Sequence, residues 1–551
     1  MSRKKKILFV SEAAYLNTGY AKYSKEVLDR LNKSGKYEIA EFSIYGGSKD
    51  PRRKTIPWKN YANMPEPDNE EEMRNYSSNS ANQFGAWRFE RVCLEFKPDI
   101  VFTIRDFWMD SFIYHSAFRR IFSWAWMPTV DSSPQNQEWI DMFKDADYVL
   151  TYSQWARELL DKQSGKKINT IGVASPSASD CFLPMDKKNI RNHYEIDPNV
   201  KIIGTVMRNQ RRKLFPSLFE AFGKYIHEAN IKDTYLYIHT SFPDAGWNLA
   251  QMLHDNKISS RVLMTYVCSQ CQHIEVCNFS DHRKMCQECR KYASAPASVS
   301  NGIPDKALSE IYNLFDLYIQ CANSEGFGLP QVEAAACGIP LACTNYSAMQ
   351  DLVDNVNAYP ISYYKYKELE TGCDRAVPDI DSIVNVFKDF FSKTSEEQKQ
   401  ISTETRKLFL KNYNWDNTAE QWMKIADDCD YADWDQPISQ ITPREVDIKE
   451  PSTYKFIDDL LENHVYYEPH KKSYFVRSLI TDLKRGMSKT VWDGYYVSEF
   501  SPYSSNKLRN INREDVVKVF QSRLRSYNIW EQARVDPSII KDKDELWIKQ
   551  N

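Results

Sequence analysis

Two glutamates lie on either side of a glycine-containing turn that runs into a helix, and this stretch constrains the fold most strongly. It reads Asn323-Ser324-Glu325-Gly326-Phe327-Gly328-Leu329-Pro330-Gln331-Val332-Glu333. The apolar residues before it predict a short buried strand. Gly326 and Gly328 let the backbone turn and expose its N–H groups, and Pro330 suits the first helical turn, where no N–H donor is needed. The stretch therefore predicts a strand, a turn and a helix whose N-terminus is open to a ligand.

The predicted helix N-terminus favours an anion, because its unpaired N–H groups and the helix dipole both point at the ligand. Glu325 precedes the turn, and Glu333 lies about two helical turns further on. Both can accept hydrogen bonds from hydroxyl groups on either side of a bound phosphate. A sugar joined to a nucleoside by a diphosphate has this shape. The alternative is a generic strand-turn-helix unit of a parallel sheet.

The two glutamates resemble the E-x7-E signature of the retaining GT-B glycosyltransferases of glycosyltransferase family four. The run Cys337-Gly338-Ile339-Pro340 also resembles the small-residue, Gly, apolar, Pro run of that family. The resemblance implies an α/β fold of the GT-B class, with two Rossmann-like domains facing a cleft. In the family the first glutamate and the turn amides hold the donor sugar, and the second glutamate holds the ribose. The resemblance thus assigns a catalytic role to Glu325 and donor binding to Gly326, Phe327, Gly328, Leu329 and Glu333.

A basic loop lies about 110 residues earlier in the chain. A buried strand that begins at Lys201 is followed by Arg208-Asn209-Gln210-Arg211-Arg212-Lys213, and ligands bind at this edge of a parallel sheet. The family has an Arg after this strand and a Lys about five residues on, both on the diphosphate. Arg208 and Lys213 match, with Arg211 or Arg212 as a substitute. Fixed cations stabilise a leaving diphosphate, so no catalytic divalent metal is required. The alternative is a solvated basic loop.

The N-terminal part resembles the family in several shorter segments. Residues 6–10 predict a first strand, and Gly19 lies in the loop where the family places a glycine-rich donor-binding turn. Residues 97–104 and 146–153 resemble two further strands of the family. Between them lies Asp131, beside which many relatives carry a histidine where this chain has Val130.

Two aspartates are the acidic candidates to orient an acceptor hydroxyl. Asp106 and Asp131 each follow an apolar strand in the N-terminal half. The resemblance implies retaining transfer without a protein nucleophile: the acceptor attacks on the face that the diphosphate leaves, and a phosphate oxygen takes the proton. The alternative is that both carboxylates cap a helix or a turn.

Four cysteines predict a structural zinc site. Cys268 and Cys271 form one C-x2-C pair, and Cys286 and Cys289 form another after fourteen intervening residues. Each pair forms a tight turn that directs two sulfurs at one tetrahedral ion. Disulfides and unrelated thiols are the alternatives, but a reducing compartment is expected because neither a secretory signal nor a membrane span is visible. The knuckle, residues 266–302, replaces a short loop of the family.

The predicted domain organisation has three parts. Residues 1–185 are an N-terminal, acceptor-side Rossmann-like domain, and residues 186–430 are a nucleotide-sugar-binding Rossmann-like domain with a closing helix at about 415–430. Residues 431–551 are a mostly helical accessory extension. The segment from Met64 to Ser80 contains Ser, Asn and Pro and is expected to be an exposed loop.

Composition agrees with a multidomain enzyme rather than a polyanion-binding chain. The 551 residues carry a net charge of −3 and 42% hydrophobic residues, enough for two or more cores. A cytoplasmic location is expected, in the host cytoplasm if the protein is viral. The many Lys, Asn and Tyr residues and few Gly are typical of a virus or bacteriophage.

The leading hypothesis is a retaining glycosyltransferase that moves a sugar from a nucleotide-diphosphate sugar to an acceptor hydroxyl. The acceptor is a glycan or a hydroxymethylated base in DNA. The zinc knuckle and a basic, aromatic segment at residues 471–489 favour DNA. The alternatives are a sugar phosphorylase, and a non-catalytic nucleic-acid-binding protein on a transferase fold. The sequence does not fix the oligomeric state.

Overall fold

The structure is a computed structural model that describes residues 3–434, apart from residues 117, 120, 281 and 299. The described residues form two compact units. The first contains the residues up to Pro128, Gln137–Val149 and those from Trp422 on, and the second contains Thr129–Asn136 and Leu150–Gln421. These bounds differ from residues 1–185 and 186–430, because residues 150–185 group with the second unit. The predicted extension, residues 431–551, lies outside the described residues from residue 435 on.

The first unit alternates strands and helices. In chain order it contains β1 (Lys6–Glu12), α1 (Gly19–Lys33), β2 (Glu38–Ile44), β3 (Lys59–Ala62), α2 (Glu70–Ser78), α3 (Ser80–Gln83), α4 (Phe89–Phe96), β4 (Ile100–Thr103), α5 (Phe107–Tyr114), β5 (Ser123–Trp126), α6 (Gln137–Asp145) and β6 (Tyr148–Thr151). A single 3-10 turn in this part of the described chain covers Pro51–Thr55. The strands are short and, apart from the edge strand β3, almost wholly buried, as expected for a sheet covered by helices on both faces.

The strands of the first unit are parallel and run in the order β3-β2-β1-β4-β5-β6. The chain leaves β1 towards β2 and leaves β4 in the opposite direction, towards β5. In open α/β sheets, ligands bind beyond the strand ends at such a switch point. The loops after β1 and β4 lead to Gly19 and Asp106, so both predicted residues lie at this edge of the sheet.

The chain returns to the first unit through Trp422, in α16 (Trp415–Asp428). The indole is fully buried, lies 4.7 Å from the ring of Phe102 and 5.9 Å from that of Phe9, and donates a hydrogen bond of 2.9 Å to the hydroxyl of Tyr23. Burial of a large aromatic ring is a strong apolar contribution. The helix coincides with the closing helix expected at about 415–430.

The segment from Met64 to Ser80 was expected to be a loop, and this expectation is wrong. Most of it forms α2, because the side chain of Asn69 accepts hydrogen bonds from the N–H groups of Glu71 (3.2 Å) and Glu72 (3.1 Å). Acidic residues in the first turn also interact favourably with the helix dipole. Capping outweighs the loop-forming composition here.

The second unit contains the remaining elements. They are α7 (Gln154–Ser164), β7 (Thr170–Val173), α8 (Lys187–His193), β8 (Lys201–Val206), α9 (Phe215–Glu228), β9 (Thr234–His239), α10 (Leu249–Asp255), β10 (Val262–Cys268), β11 (Ile274–Asn278), β12 (Ser294–Pro296), α11 (Asp305–Tyr312), β13 (Leu317–Gln320), α12 (Leu329–Ala336), β14 (Leu341–Thr344), α13 (Met349–Val356), β15 (Tyr359–Ile361), β16 (Tyr363–Lys367), β17 (Asp374–Pro378), α14 (Ile380–Ser392) and α15 (Ser395–Asn412), with a 3-10 turn at Ser259–Arg261. No helix formed by the described residues has the length and hydropathy needed to cross a lipid bilayer.

The main sheet of the second unit runs in the order β11-β10-β9-β8-β13-β14-β15, and β12 also pairs with β10. The strands from β10 to β15 along this order are parallel, whereas β11 and β12 are antiparallel to β10. The chain leaves β8 towards β9 and leaves β13 towards β14. The switch point of this sheet therefore lies between β8 and β13, which is where the basic loop and the glutamate turn begin.

Gly204, in the middle of β8, is required by its neighbours. A β-carbon at this position would lie 2.2 Å from ring atoms of Phe315, which is itself fully buried. Packing at the centre of the sheet thus depends on an aromatic ring lying directly over the backbone of β8.

We expect Gly204→Ala to lower the free energy of unfolding by about 1 to 3 kcal/mol, because the ring of Phe315 must move in a close-packed core. The measurement is urea unfolding of both proteins. Gly47→Ala is the matched control, since a β-carbon there meets nothing within 4 Å. Equal midpoints for the two variants would contradict this packing.

His239, the last residue of β9, gives the second unit a pH-dependent stability. Its Nδ1 lies 2.8 Å from the hydroxyl of Thr265 on β10, and burial lowers the pKa of His239 from 6.5 to about 4. The unfolded chain therefore binds more protons than the folded chain between these values, so stability falls as pH is lowered from about 6.5 towards 4.

We expect His239→Asn to lose less thermal stability than the wild type when pH falls from 7 to 5. The measurement is the melting temperature at half-unit pH steps. His254→Asn should follow the wild type, because His254 is a solvent-exposed imidazole. Parallel curves for His239→Asn and the wild type would show that burial of His239 does not contribute.

Candidate active site

The glutamate turn forms as predicted, and its two glycines are needed for different reasons. Gly328 has φ +95°, in the left-handed region that favours glycine, and it immediately precedes α12. A β-carbon on Gly326 would lie 2.4 Å from the side chain of Thr129. Pro330 occupies the first turn of α12, and Glu325 and Glu333 are both buried. The N-terminus of α12 therefore begins directly at the turn between the two glutamates.

The basic loop and the glutamate turn are joined by backbone hydrogen bonds. The N–H of Leu214 donates to the carbonyl of Cys321 (2.9 Å), and the N–H of Asn323 donates to the carbonyl of Arg212 (2.9 Å). Between these bonds, Lys213 and Ala322 form an isolated antiparallel bridge. The loops after β8 and β13 are thereby fixed side by side at the switch point.

Glu325 is surrounded by donors. Its carboxylate forms an ion pair with the ammonium group of Lys213, and it accepts hydrogen bonds from the guanidinium of Arg212 (2.9 Å) and the side-chain amide of Gln320 (2.8 Å). Its backbone N–H donates to the hydroxyl of Ser347 (2.9 Å). Gln320 and Ser347 were not predicted. Gln320 could have been found from the sequence, because it is a polar residue at the end of an apolar strand.

The ion pair of Glu325 and Lys213 combines opposite charges in a dry environment. Burial and the nearby guanidinium of Arg212 lower the pKa of Lys213, and the negative charge of Asp131 opposes this shift. A ligand hydroxyl that donates to Glu325 competes with the cations for its oxygens. When Glu325 binds a ligand hydroxyl, the cations Lys213 and Arg212 can thus become available to a bound anion.

Arg208 lies in the same basic loop but has a different partner. Its guanidinium makes two hydrogen bonds to the carboxylate of Asp244, of 2.7 and 3.1 Å, and these raise the pKa of Arg208 and lower that of Asp244. The neighbouring Asn209 is buried and bonds the backbone of Trp247 through both ends of its amide. The loop after β9 therefore holds the start of the basic loop in place.

Glu333 lies on the first turns of α12. Its carboxylate accepts a hydrogen bond of 2.9 Å from the hydroxyl of Tyr312, and burial together with this carboxylate raises the pKa of Tyr312 well above its usual value. Tyr312, at the end of α11, was not predicted as part of the site. It orients the carboxylate on which the predicted ribose contact depends.

Asp131 belongs to the second unit and lies beside the glutamate turn. Its carboxylate forms an ion pair of 2.8 Å with Arg375 and accepts a hydrogen bond of 3.1 Å from the hydroxyl of Ser324. Arg375 also donates to Ser324 (2.7 Å) and to Glu368 (2.8 Å). Arg375 was missed by the sequence reasoning, because its partner Asp131 is 244 positions away.

Two of the predicted residues belong to the first unit. Gly19 is the first residue of α1, directly after Thr18, whose hydroxyl caps the helix by accepting from the N–H of Ala21 (3.2 Å). Asp106 precedes α5, and its carbonyl accepts from the N–H of Met109 (2.9 Å). Each residue lies at the start of a helix that follows a parallel strand.

The four predicted cysteines come together in the second unit. The Sγ atoms of Cys268, Cys271, Cys286 and Cys289 lie within 4.8 Å of one another, and two of the separations are 3.6 Å. A tetrahedral zinc ion with bonds of about 2.3 Å separates its sulfurs by about 3.8 Å. Backbone N–H groups of Cys271 and Gln270 lower the pKa of Cys268, which favours the thiolate that a metal needs. This donor set fits a four-sulfur zinc site.

Cys277 lies in the same insertion but has another environment. Its thiol accepts a hydrogen bond of 3.0 Å from the ammonium of Lys284, outside the group of four. The carboxylate of Glu275 is buried and accepts from the N–H of Gln287 (2.9 Å), which links the two halves of the insertion.

Part of the second unit matches a known sequence family. Residues 293–408 match the family described as glycosyl transferases group 1, and this range contains the glutamate turn. A curated relative, O-antigen chain mannosyltransferase B of Escherichia coli, is 24% identical over 120 residues. The match covers 22% of this chain and 27% of the relative, so it spans about a quarter of that protein's length.

Several solved structures share the fold over most of both chains. Sucrose-phosphate synthase of Thermosynechococcus elongatus has a TM-score of 0.56 at 14% identity, over 77% of this chain and 98% of the other. A glycosyltransferase of Rickettsia africae has a TM-score of 0.53 at 15% identity, over 78% and 99%. Anabaena HepE, solved in complex with UDP and glucose, has a TM-score of 0.53 at 14% identity, over 77% and 99%.

These likenesses agree with the parallel sheets and with the switch-point position of the glutamate turn. The predicted α/β class is confirmed. The described chain has the GT-B fold with Rossmann-like parallel sheets, and its residues 293–408 carry the sequence pattern of glycosyl transferases group 1.

Proposed function

We propose that this protein is a retaining glycosyltransferase that uses a nucleotide-diphosphate sugar. The observation that carries the proposal is the set of groups around the N-terminus of α12. Glu325 and Glu333 flank the turn, and Lys213 and Arg212 lie against Glu325. The same stretch lies within the region that matches glycosyl transferases group 1.

The donor diphosphate would lie between the helix N-terminus and the basic loop. The N–H groups after Gly328 and the dipole of α12 favour its charge, and Lys213, Arg212 and Arg208 supply cations. Hydroxyl groups of the sugar would donate to Glu325 and displace its present partners. The ribose would donate to Glu333, which Tyr312 already orients.

The chemistry then needs no protein nucleophile. The bond between the anomeric carbon and the β-phosphate oxygen breaks, a bond from that carbon to the acceptor oxygen forms on the same face, and a phosphate oxygen takes the hydroxyl proton. The cations of the basic loop stabilise the negative charge on the departing diphosphate, in the role that a divalent metal has in other transferases. Asp131 and Asp106 are the candidates to orient the acceptor hydroxyl.

The donor and acceptor classes follow from the relatives and the sequence. HepE was solved with UDP and with UDP-glucose, so uridine diphosphate sugars are the first donors to test. A glycan and a hydroxymethylated DNA base are the two acceptor classes. A structural zinc ion held by Cys268, Cys271, Cys286 and Cys289 would fix the insertion after β10 and supply no chemistry.

We expect UDP and UDP-glucose to raise the melting temperature of the wild type, and Glu333→Ala to bind both at least about tenfold more weakly, because a charged hydrogen-bond acceptor for the ribose is lost. The measurement is a thermal-shift titration. Glu396→Ala, on an exposed turn of α15, is the matched control. The absence of any shift with uridine, guanosine or adenosine diphosphates would remove the proposed function.

We expect one zinc ion per purified chain, and its loss together with a lower melting temperature in Cys271→Ser, because a three-sulfur site holds zinc less tightly. The measurement is metal content by mass spectrometry. Cys277→Ser is the matched control from the same insertion, since Cys277 lies outside the four-sulfur cluster. Full zinc content in Cys271→Ser would contradict the assignment.

A further inference from the structure

The hairpin of β16 and β17 presents two different faces. Its antiparallel register pairs Tyr364 with Val377 and Tyr366 with Arg375. Because side chains alternate along a strand, these four side chains share one face. The other face carries Lys365 and Lys367, which both reach Asp374, and it packs on Tyr346 through Tyr363, with ring centroids 5.3 Å apart.

One end of the tyrosine-bearing face meets the proposed donor site. The outer edge of β17 is fixed by hydrogen bonds of 2.9 Å from Asp374 to the carbonyl of Ser133 and from Ala376 to the carbonyl of Asn323. Between them, Arg375 reaches Ser324, the neighbour of Glu325. The hydroxyl of Tyr366 accepts a bond of 3.1 Å from the side chain of Asn323. The face is therefore continuous with the glutamate turn.

The other end of this face is open to solvent. Tyr364 is 67% exposed and Tyr366 is 41% exposed, and Val377 beside them is also exposed. Exposed aromatic side chains grouped on one face are uncommon without a binding role, since tyrosine offers a large contact area at a low cost in conformational entropy. The rings of Tyr364 and Tyr366, about 7 Å apart along the strand, thus lie between the solvent-exposed end of this face and the glutamate turn.

A groove lined by both polar and apolar side chains continues from the outer tyrosine. The hydroxyl of Tyr364 donates a hydrogen bond of 2.8 Å to Asp379. Asp379 lines an open groove of about 450 Å³ together with Ser362, Asp381, Asn385 and Asp389. Carboxylate and amide oxygens of this kind accept hydrogen bonds from hydroxyl groups.

Charge decides between the two acceptor classes. Residues 363–378 contain three cations and three carboxylates, and the lysines lie on the face opposite the exposed tyrosines. The groove adds three further carboxylates, of which Asp381 forms an ion pair with Lys224 and Asp389 forms one with Lys393. Nucleic-acid-binding surfaces place lysine and arginine beside their stacking residues, where they contact phosphate. The arginine on the tyrosine-bearing face, Arg375, is instead paired with Asp131 and Glu368. The surface therefore offers a polyanion no excess of positive charge, and it suits a neutral, hydroxyl-rich chain.

We propose that the face formed by Tyr364, Tyr366 and Val377, with the groove at Asp379, is an acceptor subsite for a neutral oligosaccharide. The sugar rings stack on the two tyrosines and their hydroxyl groups bond the groove, which directs the end of the acceptor towards Glu325. This inference rests on the proposed function for the reaction, but the binding of saccharide is a property of the hairpin itself.

The test uses the full-length chain and saturation-transfer NMR with maltohexaose, cellohexaose and α-mannohexaose, followed by titration of those that bind. A 20-residue oligothymidylate is the polyanionic probe. We expect at least one hexasaccharide to bind the wild type and Tyr364→Ala to weaken it about fivefold, as loss of a stacking ring predicts. Tyr364→Trp should restore binding. Leu369→Ala is the matched control, because Leu369 is 95% exposed at the tip of the same hairpin.

Three results would overturn the proposal: no hexasaccharide binds, Tyr364→Ala binds as tightly as the wild type, or oligothymidylate binds and loses affinity in Tyr364→Ala. The last result would assign the face to nucleic acid. The nucleotide thermal shift, recorded on the same samples, separates the two proposals. Saccharide binding without a shift by uridine, guanosine or adenosine diphosphate would support the saccharide site and contradict the transferase function, whereas a nucleotide shift without saccharide binding would do the opposite.

Discussion

The buried ion pair of Glu325 and Lys213 is the interaction on which the site in the second unit depends. Removing two charges from water is costly, and attraction between them offsets the cost only when further hydrogen bonds satisfy the remaining atoms. Arg212 and Gln320 supply these bonds to the carboxylate. The switch point between β8 and β13 makes this possible, because it brings two loops from distant parts of the sequence to one edge of the sheet.

A second balanced group of charges lies beside the first. Arg375 is held between Asp131 and Glu368, so that the two groups together contain three cations and three carboxylates: Arg212, Lys213 and Arg375, and Glu325, Asp131 and Glu368. The charges of such a site balance one another without a ligand. A sugar hydroxyl that donates a hydrogen bond to one of the carboxylates can replace the cation bound to that carboxylate. The affinity of the site for a diphosphate would therefore depend on the attached sugar, because its hydroxyl groups must bind the carboxylates before the cations are free to bind the diphosphate.

The sequence predicted those features that depend on neighbouring residues. The turn at Gly326 and Gly328, the start of α12, the strand before the basic loop and the four-cysteine cluster all rest on local patterns, and the structure has each of them. Arg375 and the hairpin that carries it were missed, because the ion pair with Asp131 joins residues far apart in sequence. The helix α2 was missed for the opposite reason: a local cap at Asn69 outweighed a composition typical of loops. The roles of the site residues all stay predictions, including those of Glu325 and Glu333 in donor binding and those of Asp131 and Asp106 at the acceptor.

The insertion that carries the four cysteines begins and ends at neighbouring positions. Cys268 and Ser294 are cross-strand partners of β10 and β12, which places their backbones about 5 Å apart. The 25 residues from Ser269 to Ala293 thus begin and end at almost the same point, and β11 within them adds an antiparallel edge strand to the sheet. Because the ends of the insertion lie side by side and β11 occupies only the edge of the sheet, the part of the insertion beyond β11 can change in length and surface while the strands from β10 to β15 stay as they are.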